Sequence, residues 1–183
     1  MEYFDVCDAQ GLPTGETVER TEAHRRGIRH RSAHIWVVNE LGGRPMALLQ
    51  KRSRRKDSYP GCWDISSAGH IQAGDEPLPS ALREFSEELG VEAAAEELTF
   101  LGCADIRFTA VFHQEVFRDD ECAFVYLYRG TLDTAALTLQ AEEVEAAAWF
   151  DPLSVWDACA SHDPRFCVNP DSLRLLLDVL YPA

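Results

Sequence analysis

A cluster of glutamates next to an arginine is the feature of this sequence best suited to chemistry. Glu84, Glu87 and Glu88 follow Arg83 in the segment GHIQAGDEPLPSALREFSEELGV, which spans residues 69–91. At about 100° per residue, a helix would place these three carboxylates within roughly one third of its circumference. Like charges at this spacing repel each other, and the last two glutamates would lie near the negative end of the helix dipole. Because a divalent cation would offset that repulsion, the cluster indicates a metal site.

The same segment has the pattern of a helix that buries one side. Leu78, Leu82, Phe85 and Leu89 recur at helical spacing and form an apolar stripe that is separate from the carboxylates. Gly90 provides a C-terminal stop. The pattern therefore predicts a helix that packs against a sheet. Taken alone, a run of glutamates would by default indicate a solvated acidic face.

The segment resembles the Nudix box, whose pattern is G-x5-E-x7-R-E-U-x-E-E-x-G-U, with U a bulky apolar residue. The matching residues are Gly69, Arg83, Glu84, Phe85, Glu87, Glu88, Gly90 and Val91. One position departs from the pattern, because Asp75 stands where the first glutamate is expected and Glu76 follows it. So many spaced matches are far more specific than a lone glycine motif. Residues 69–91 are therefore identified as a Nudix box.

The resemblance continues from His24 to Tyr128 and is to the isopentenyl diphosphate isomerase-like branch of that superfamily. Its markers are His30, the run LLQKR at 48–52, YPGCW at 59–63 and AGH at 68–70. The resemblance implies an α/β fold in which a mixed β-sheet is sandwiched between α-helices (α/β/α). It also implies one Nudix domain over residues 1–183, with a C-terminal helical cap at about 151–183.

Local patterns predict the other elements of this fold. Strands are expected at 3–7, 34–39, 46–50, 63–67, 98–103, 107–117, 121–128 and 144–150. Besides the box helix, helices are expected at 152–160 and 172–180. A turn is expected at 40–45, and a loop at 118–121.

Nudix enzymes typically cleave a diphosphate linked to another group, using Mg²⁺ or Mn²⁺. The metal neutralises phosphate charge and lowers the pKa of the attacking water, and carboxylates suit such hard ions. By resemblance, the metal ligands are the main-chain carbonyl of Gly69 and the carboxylates of Glu84, Glu87 and Glu88. Glu84 would be a ligand or would orient the water, and Glu88 would also be catalytic. Arg83 would hold a carboxylate in place through its planar fork.

A further carboxylate is expected from outside the box. In the isomerase-like branch, an acidic residue just before an apolar strand reaches the metal site, and Glu121 is the matching catalytic position. Asp119 is the second choice and Glu115 a weaker one. The alternative is a polar hairpin tip without a catalytic role.

Several basic residues and histidines match substrate positions of the branch. Arg52 and Lys56 match the positions that contact a diphosphate, whereas Lys51, Arg54 and Arg55 could equally be solvated. His70 is expected to touch substrate or to stabilise its loop. With Glu121, the residues that match a second metal site of the isomerases are His24, His30 and His70. The spacing from the first of these histidines to the second is one residue shorter here than in bacterial isomerases.

Ala68 separates the enzymatic alternatives. The isomerases carry a catalytic cysteine immediately before the Gly-His pair, and alanine cannot transfer a proton. The isomerases also usually degrade the R-E-U-x-E-E core, which is intact here. Both differences favour a hydrolase that cleaves a nucleoside diphosphate derivative or a prenyl diphosphate. An isopentenyl diphosphate isomerase built on another acid, or a non-catalytic module that binds a phosphorylated ligand, are the alternatives.

Composition narrows the partners and the compartment. The net charge of −14 argues against binding nucleic acid or an anionic membrane, and no apolar run reaches the length of a membrane span. Six scattered cysteines without a C-x-x-C pair favour a reduced, cytoplasmic protein. We therefore expect a small diphosphate as the partner. A homodimer is compatible with the resemblance.

Overall fold

The centre of the protein is a seven-stranded mixed sheet, seen in a computed structural model that describes residues 1–182. Its strands are β3 (His30–Leu41), β4 (Arg44–Arg52), β5 (Trp63–Asp64), β6 (Ser67–His70), β7 (Leu98–Phe112), β8 (Glu115–Arg129) and β9 (Val144–Phe150). A separate hairpin consists of β1 (Tyr3–Cys7) and β2 (Pro13–Glu19). The helices are α1 (Arg20–Arg26), α2 (Pro77–Leu89), α3 (Pro152–Ala160) and α4 (Pro170–Leu180).

Strand β3 is the central strand of the sheet and borders a gap on one side. It pairs in parallel with β8 on one side, where His30 faces Glu121. On the other side its first half pairs with β6, from Ser32 to Ile35, and its second half pairs with β4, from Val37 onward. Because β3 changes partner along its length, β4 and β6 do not pair with each other. The gap between them is where the candidate site lies.

The two faces of the sheet bury different helices. Alternate residues of β3 point to opposite faces. Ile35 and Val37 contact the core that contains Phe85 and Leu89 of α2. Trp36 belongs to the opposite core, to which Val155 of α3 and both Leu173 and Leu176 of α4 contribute. This arrangement confirms the predicted α/β fold with a mixed sheet between helices.

Three predicted elements have the observed bounds, namely those at 3–7, 144–150 and 152–160. Strand β3 begins earlier than expected, at His30, and the predicted strand at 63–67 is split into β5 and β6. Neither β2 nor α1 was predicted. Ala183, the last residue of the predicted 151–183 cap, lies outside the described residues. None of the described helices is long and apolar enough to span a membrane.

The predicted loop at 118–121 is wrong, because these residues lie inside β8 and pair with β7. The chain reverses instead at His113 and Gln114, within the predicted strand at 107–117. Both residues have positive φ, 51° and 70°, as a two-residue hairpin turn of the primed type requires. Turn prediction relies on glycine and asparagine at such positions, and this turn contains neither.

Candidate active site

Helix α2 presents the box carboxylates to the gap between β4 and β6. Phe85 and Leu89 are fully buried beneath the helix, which fixes its rotation about its axis. Gly90 ends the helix with a φ of 69°, and its N–H bonds to the carbonyl of Ser86. With this face buried, Glu84 and Glu88 are directed to the ends of β6 and β4.

Glu88 is the most firmly held of the box acids. It is 2% exposed, and its Oε2 accepts hydrogen bonds from Ser67 Oγ (2.7 Å), the Ala68 N–H (3.0 Å) and Gln50 Nε2 (3.1 Å). Its Oε1 makes none of these bonds. Burial raises the pKa of this carboxyl to about 7, although the hydrogen bond from Ser67 opposes the shift. The second oxygen is therefore preorganised to bind a cation, which would restore the ionised form.

Glu84 fits closely over Gly69. A Cβ at position 69 would lie 2.1 Å from Glu84 Cδ, so only glycine permits this approach. Burial raises the pKa of Glu84, and the neighbouring Arg83 charge lowers it in part. Arg83 Nη1 contacts Glu84 Oε1 at 2.8 Å and Glu87 Oε2 at 3.2 Å. The arginine thus holds two box carboxylates together, as its planar fork allows.

A cavity of about 300 Å³ connects these groups to the other candidate residues. All nine residues predicted for the site border it, namely Arg52, Lys56, Gly69, His70, Arg83, Glu84, Glu87, Glu88 and Glu121. The structure therefore brings them together, while their roles stay predictions. The lining also contains polar residues that were not predicted for the site, among them Arg20, His34, Asp64 and Glu143.

The lining of the cavity is rich in carboxyl groups. Nine carboxyl side chains border it, against four cationic ones. Arg52 contacts Asp64 at 3.1 Å, and Lys56 is paired with Glu143. Both cations expected to bind a diphosphate thus already have partners in the protein. An anionic ligand would be repelled from this cavity unless cations entered with it.

A second group of possible metal ligands reaches the cavity through two of its members, His70 and Glu121. It consists of His24, His30, His70 and Glu121, whose ligand atoms all lie within 4.8 Å of one another. The four residues come from α1, β3, β6 and β8. We call them the histidine cluster. Imidazole together with carboxylate is an ordinary donor set for Zn²⁺, Mn²⁺ or Fe²⁺.

The nitrogens of this cluster are arranged as a ligand set requires. His30 Nδ1 lies 2.8 Å from the carbonyl oxygen of Ile28 and must donate to it. The neutral ring therefore leaves its lone pair on Nε2. The Nε2 atoms of His24 and His30 are buried without a hydrogen-bond partner. Burial lowers the pKa of both rings, that of His24 to about 3, so both are neutral at pH 7. These orphaned nitrogens fit a metal ion.

Two acidic residues of β8, Asp119 and Glu121, lie next to the histidines of the cluster. Asp119 Oδ1 lies 3.8 Å from His24 Nε2 and also has no hydrogen-bond partner. Burial, together with the nearby Glu121 charge, raises the pKa of Asp119 to about 9. Burial acts on Glu121 in the same direction, but its hydrogen bond with His70 and the nearby histidines hold its pKa well below the usual range. At neutral pH, Asp119 is therefore protonated and neutral, and Glu121 is an ionised carboxylate.

Aromatic rings and a hydrogen bond position the cluster. Phe4 of β1 stacks on His30 and His70, with ring centroids 4.8 and 4.6 Å apart, and Phe117 stacks on His24 at 4.3 Å. Ser32 also donates a hydrogen bond to Glu121. The N-terminal hairpin is therefore part of the site. Sequence analysis missed this role of Phe4, since only tertiary structure brings the ring to the histidines.

These features together define a Nudix protein. The NUDIX domain family model matches residues 28–166, and the chain therefore belongs to the Nudix family. The family assignment made from the box is confirmed.

Named relatives support the branch as well. The chain is 40% identical over 169 residues to "Nudix hydrolase 3" of Arabidopsis thaliana, a match that covers 90% of this chain but only 21% of that protein. It is 30% identical to an isopentenyl-diphosphate Delta-isomerase of Escherichia coli, over 84% of this chain and 79% of the isomerase. The expected likeness to the isomerase branch is confirmed, and a Nudix-type enzyme agrees with both relatives.

Solved structures support the fold. A crystal structure of a Deinococcus radiodurans protein superimposes with a TM-score of 0.67 at 20% identity, covering 98% of this chain and 99% of that one. At this identity the likeness concerns the fold alone.

Proposed function

We propose that this protein is a metal-dependent hydrolase that cleaves a diphosphate linkage in a small phosphorylated metabolite. The observation that carries the proposal is the anionic cavity, in which the intact box acids Glu84, Glu87 and Glu88 face the gap in the sheet. Divalent cations would neutralise these acids and would at the same time attract a diphosphate. The carbonyl of Gly69 would complete the ligand set with the three glutamates.

Bound Mg²⁺ or Mn²⁺ would supply charge neutralisation of the phosphates and a water of lowered pKa. The residues of the chain supply the rest. Glu88 is held by three donors on one oxygen, so its other oxygen keeps a fixed direction. Arg83 contacts Glu84 and Glu87 and so holds the two acids in a fixed relative position. Arg52 and Lys56 would exchange Asp64 and Glu143 for phosphate oxygens.

Glu121 has a proposed catalytic role at the junction of the two ligand groups. It accepts hydrogen bonds from Ser32 and lies 3.3 Å from His70 Nε2. A carboxylate in this position can orient a water or substrate group that bridges both sides of the cavity. His70 would contact the substrate from the same side. The histidine cluster would hold a further ion of borderline character.

The test is a turnover assay with purified protein in Mg²⁺ or Mn²⁺, with nucleotide and prenyl diphosphates as substrates. We expect metal-dependent release of phosphate or of a nucleotide monophosphate, and no release in EDTA. Absence of release from every diphosphate, with intact fold, would refute the proposal.

An isopentenyl diphosphate isomerase is the second candidate. The histidine cluster and the match to the E. coli enzyme favour it. Ala68 argues against it, since no thiol stands beside the Gly-His pair. Product analysis of isopentenyl diphosphate by mass and mobility separates the two functions, because an isomerase moves the double bond without releasing phosphate.

We also propose that the enzyme is cytoplasmic and acts on a small molecule. The charge of −14 disfavours nucleic acid as a partner. A homodimer is part of the expectation, and size-exclusion chromatography with light scattering would test it.

A further inference from the structure

His34 borders the cavity but has no part in the proposed mechanism. The residue is 7% exposed, and its Nδ1 is buried without a hydrogen-bond partner. Burial lowers the pKa of its imidazole, so the ring is neutral at pH 7 and offers one donor and one acceptor. Because Nδ1 has no contact with solvent, the part of the imidazole that lines the cavity and can meet a ligand is the side that carries Nε2.

The position of His34 on β3 explains why it is polar. His30, Ser32, His34 and Trp36 follow one another on the same face of the strand. The first belongs to the histidine cluster, the second bonds to Glu121, and Trp36 lies in the core. His34 therefore stands where the polar floor of the cavity meets the apolar interior.

The cross-strand neighbour of His34 leaves room for a ligand. In the antiparallel pairing of β3 with β6, His34 lies directly opposite Ala68. Paired residues of this kind have side chains on the same face with Cβ atoms about 5 Å apart. Since the side chain of Ala68 is only a methyl group, it covers less of the imidazole than a cysteine at this position would.

The box acids lie on the other face of the sheet, and their position indicates which part of a substrate would reach His34. Glu84 and Glu88 belong to α2, which packs against the Ala33 and Ile35 side of β3. A diphosphate held at these acids lies on that side of the gap. The group attached to the diphosphate would then extend toward His34, past the apolar wall that Phe108 and Phe117 form.

We infer that His34 is a specificity-determining residue that hydrogen-bonds a hydroxyl of the organic group attached to the diphosphate. This inference rests on the proposed function and narrows its substrates to hydroxyl-bearing nucleoside or sugar diphosphates. A hydroxyl can donate to the imidazole acceptor or accept from its donor. A hydrocarbon chain would cover the nitrogen and leave it unpaired. Sites built to bond a hydroxyl strongly reject analogues that lack it.

The test compares ADP-ribose with dimethylallyl diphosphate, which has no hydroxyl on its organic group. His34→Leu removes the polar atoms, and His34→Gln keeps a donor and an acceptor. We expect wild-type protein to prefer ADP-ribose, and His34→Leu to lower its kcat/KM by about tenfold or more, chiefly through KM. Values for dimethylallyl diphosphate should change less than about twofold. His34→Gln should retain most of the preference.

Exposed His162 offers a matched control, since His162→Gln alters a histidine outside the cavity lining. Equal losses on both substrates in His34→Leu, or no loss at all, would overturn the inference, as would a wild-type preference for dimethylallyl diphosphate. Calorimetry with both compounds separates this inference from the proposed function. Binding without cleavage would refute the hydrolase, while a loss of ADP-ribose affinity confined to His34→Leu would still support the role of His34. Absence of binding of either compound to wild-type protein would overturn it.

Discussion

The box carboxylates line the cavity, and the histidine cluster reaches it through His70 and Glu121, but the two groups are built in opposite ways. Glu84, Glu87 and Glu88 come from a single 13-residue helix. The cluster draws His24, His30, His70 and Glu121 from four separate elements. Spacing in the sequence is enough to reveal the first group, because helix geometry fixes its relative positions. The second group exists only once the sheet has formed.

The two regions also differ in chemistry. The box offers only oxygen donors, which suit Mg²⁺, whereas the cluster offers three imidazoles and one carboxylate, which suit softer ions. Glu88 is restrained by three hydrogen bonds, while the Nε2 atoms of His24 and His30 have no hydrogen-bond partner. Hydrogen bonds preorganise the first region, whereas the second is held by aromatic stacking as well as by hydrogen bonds involving His30 and Glu121. This contrast predicts that substitutions in the box and substitutions in the histidine cluster have different functional effects.

The largest effect is expected for Glu88→Gln. The amide keeps the size of the side chain but removes the charge that would bind a cation. Since loss of an outer-shell partner already costs about 10–100-fold in metal affinity or activity, phosphate release should fall by more than about 100-fold. Circular dichroism should show an unchanged fold. Glu96→Gln, at an exposed position outside the cavity lining, is the control, and retained turnover in Glu88→Gln would contradict the box assignment.

Gly69→Ala should produce the next largest effect. The new methyl group would occupy space held by Glu84 Cδ, so that side chain must move. Because the carboxyl end of a glutamate is flexible, the fold should survive while the ligand geometry does not. We expect the Mg²⁺ concentration needed for half-maximal activity to rise by about tenfold or more. An unchanged Mg²⁺ requirement would show that Glu84 need not approach the backbone.

His24→Gln should affect the other region alone. Loss of one imidazole should weaken Zn²⁺ or Mn²⁺ binding to the cluster by about 10-fold, as measured by calorimetry on metal-stripped protein. The Mg²⁺ dependence of turnover should change by less than about twofold. His162→Gln serves as the matched control. If His24→Gln changed both Zn²⁺ or Mn²⁺ binding and the Mg²⁺ dependence of turnover, the box and the histidine cluster would not be independent.

The smallest effect concerns stability and pH in metal-free protein. The pKa of Glu88 is raised to about 7 from 4.5, so the stability associated with its protonated form is complete at low pH. That stability is lost as the pH rises through about 7. Relative to Glu88→Gln, wild-type protein in EDTA should therefore lose a few °C of Tm between pH 5 and 8, since 1 kcal/mol corresponds to about 2–4 °C for a chain of this size. If the difference in Tm between wild-type and Glu88→Gln protein did not change with pH, burial would not raise the pKa of Glu88.

Local rules explain which parts of the molecule could be predicted. Helix α2 and its acids follow from helical periodicity, and β9 and α3 follow from apolar runs with clear ends. The turn at His113 and Gln114 was missed because its positive φ values are supplied by residues that rarely adopt them. The register of β3 against β6 also lies beyond sequence reasoning. His34 therefore gave no signal until its pairing with Ala68 was known.

The parallel pairing of β3 with β8 also has a kinetic consequence. Ser32 and Glu121 are 89 residues apart in sequence, so their contact forms only after a long loop has closed. Contacts of such separation slow folding, because the entropy of closure is lost before the contacts stabilise the chain. A refolding chain would therefore acquire the box helix early and the histidine cluster only after β3 and β8 have paired. During refolding, uptake of a metal by the cluster would thus report the pairing of these two strands.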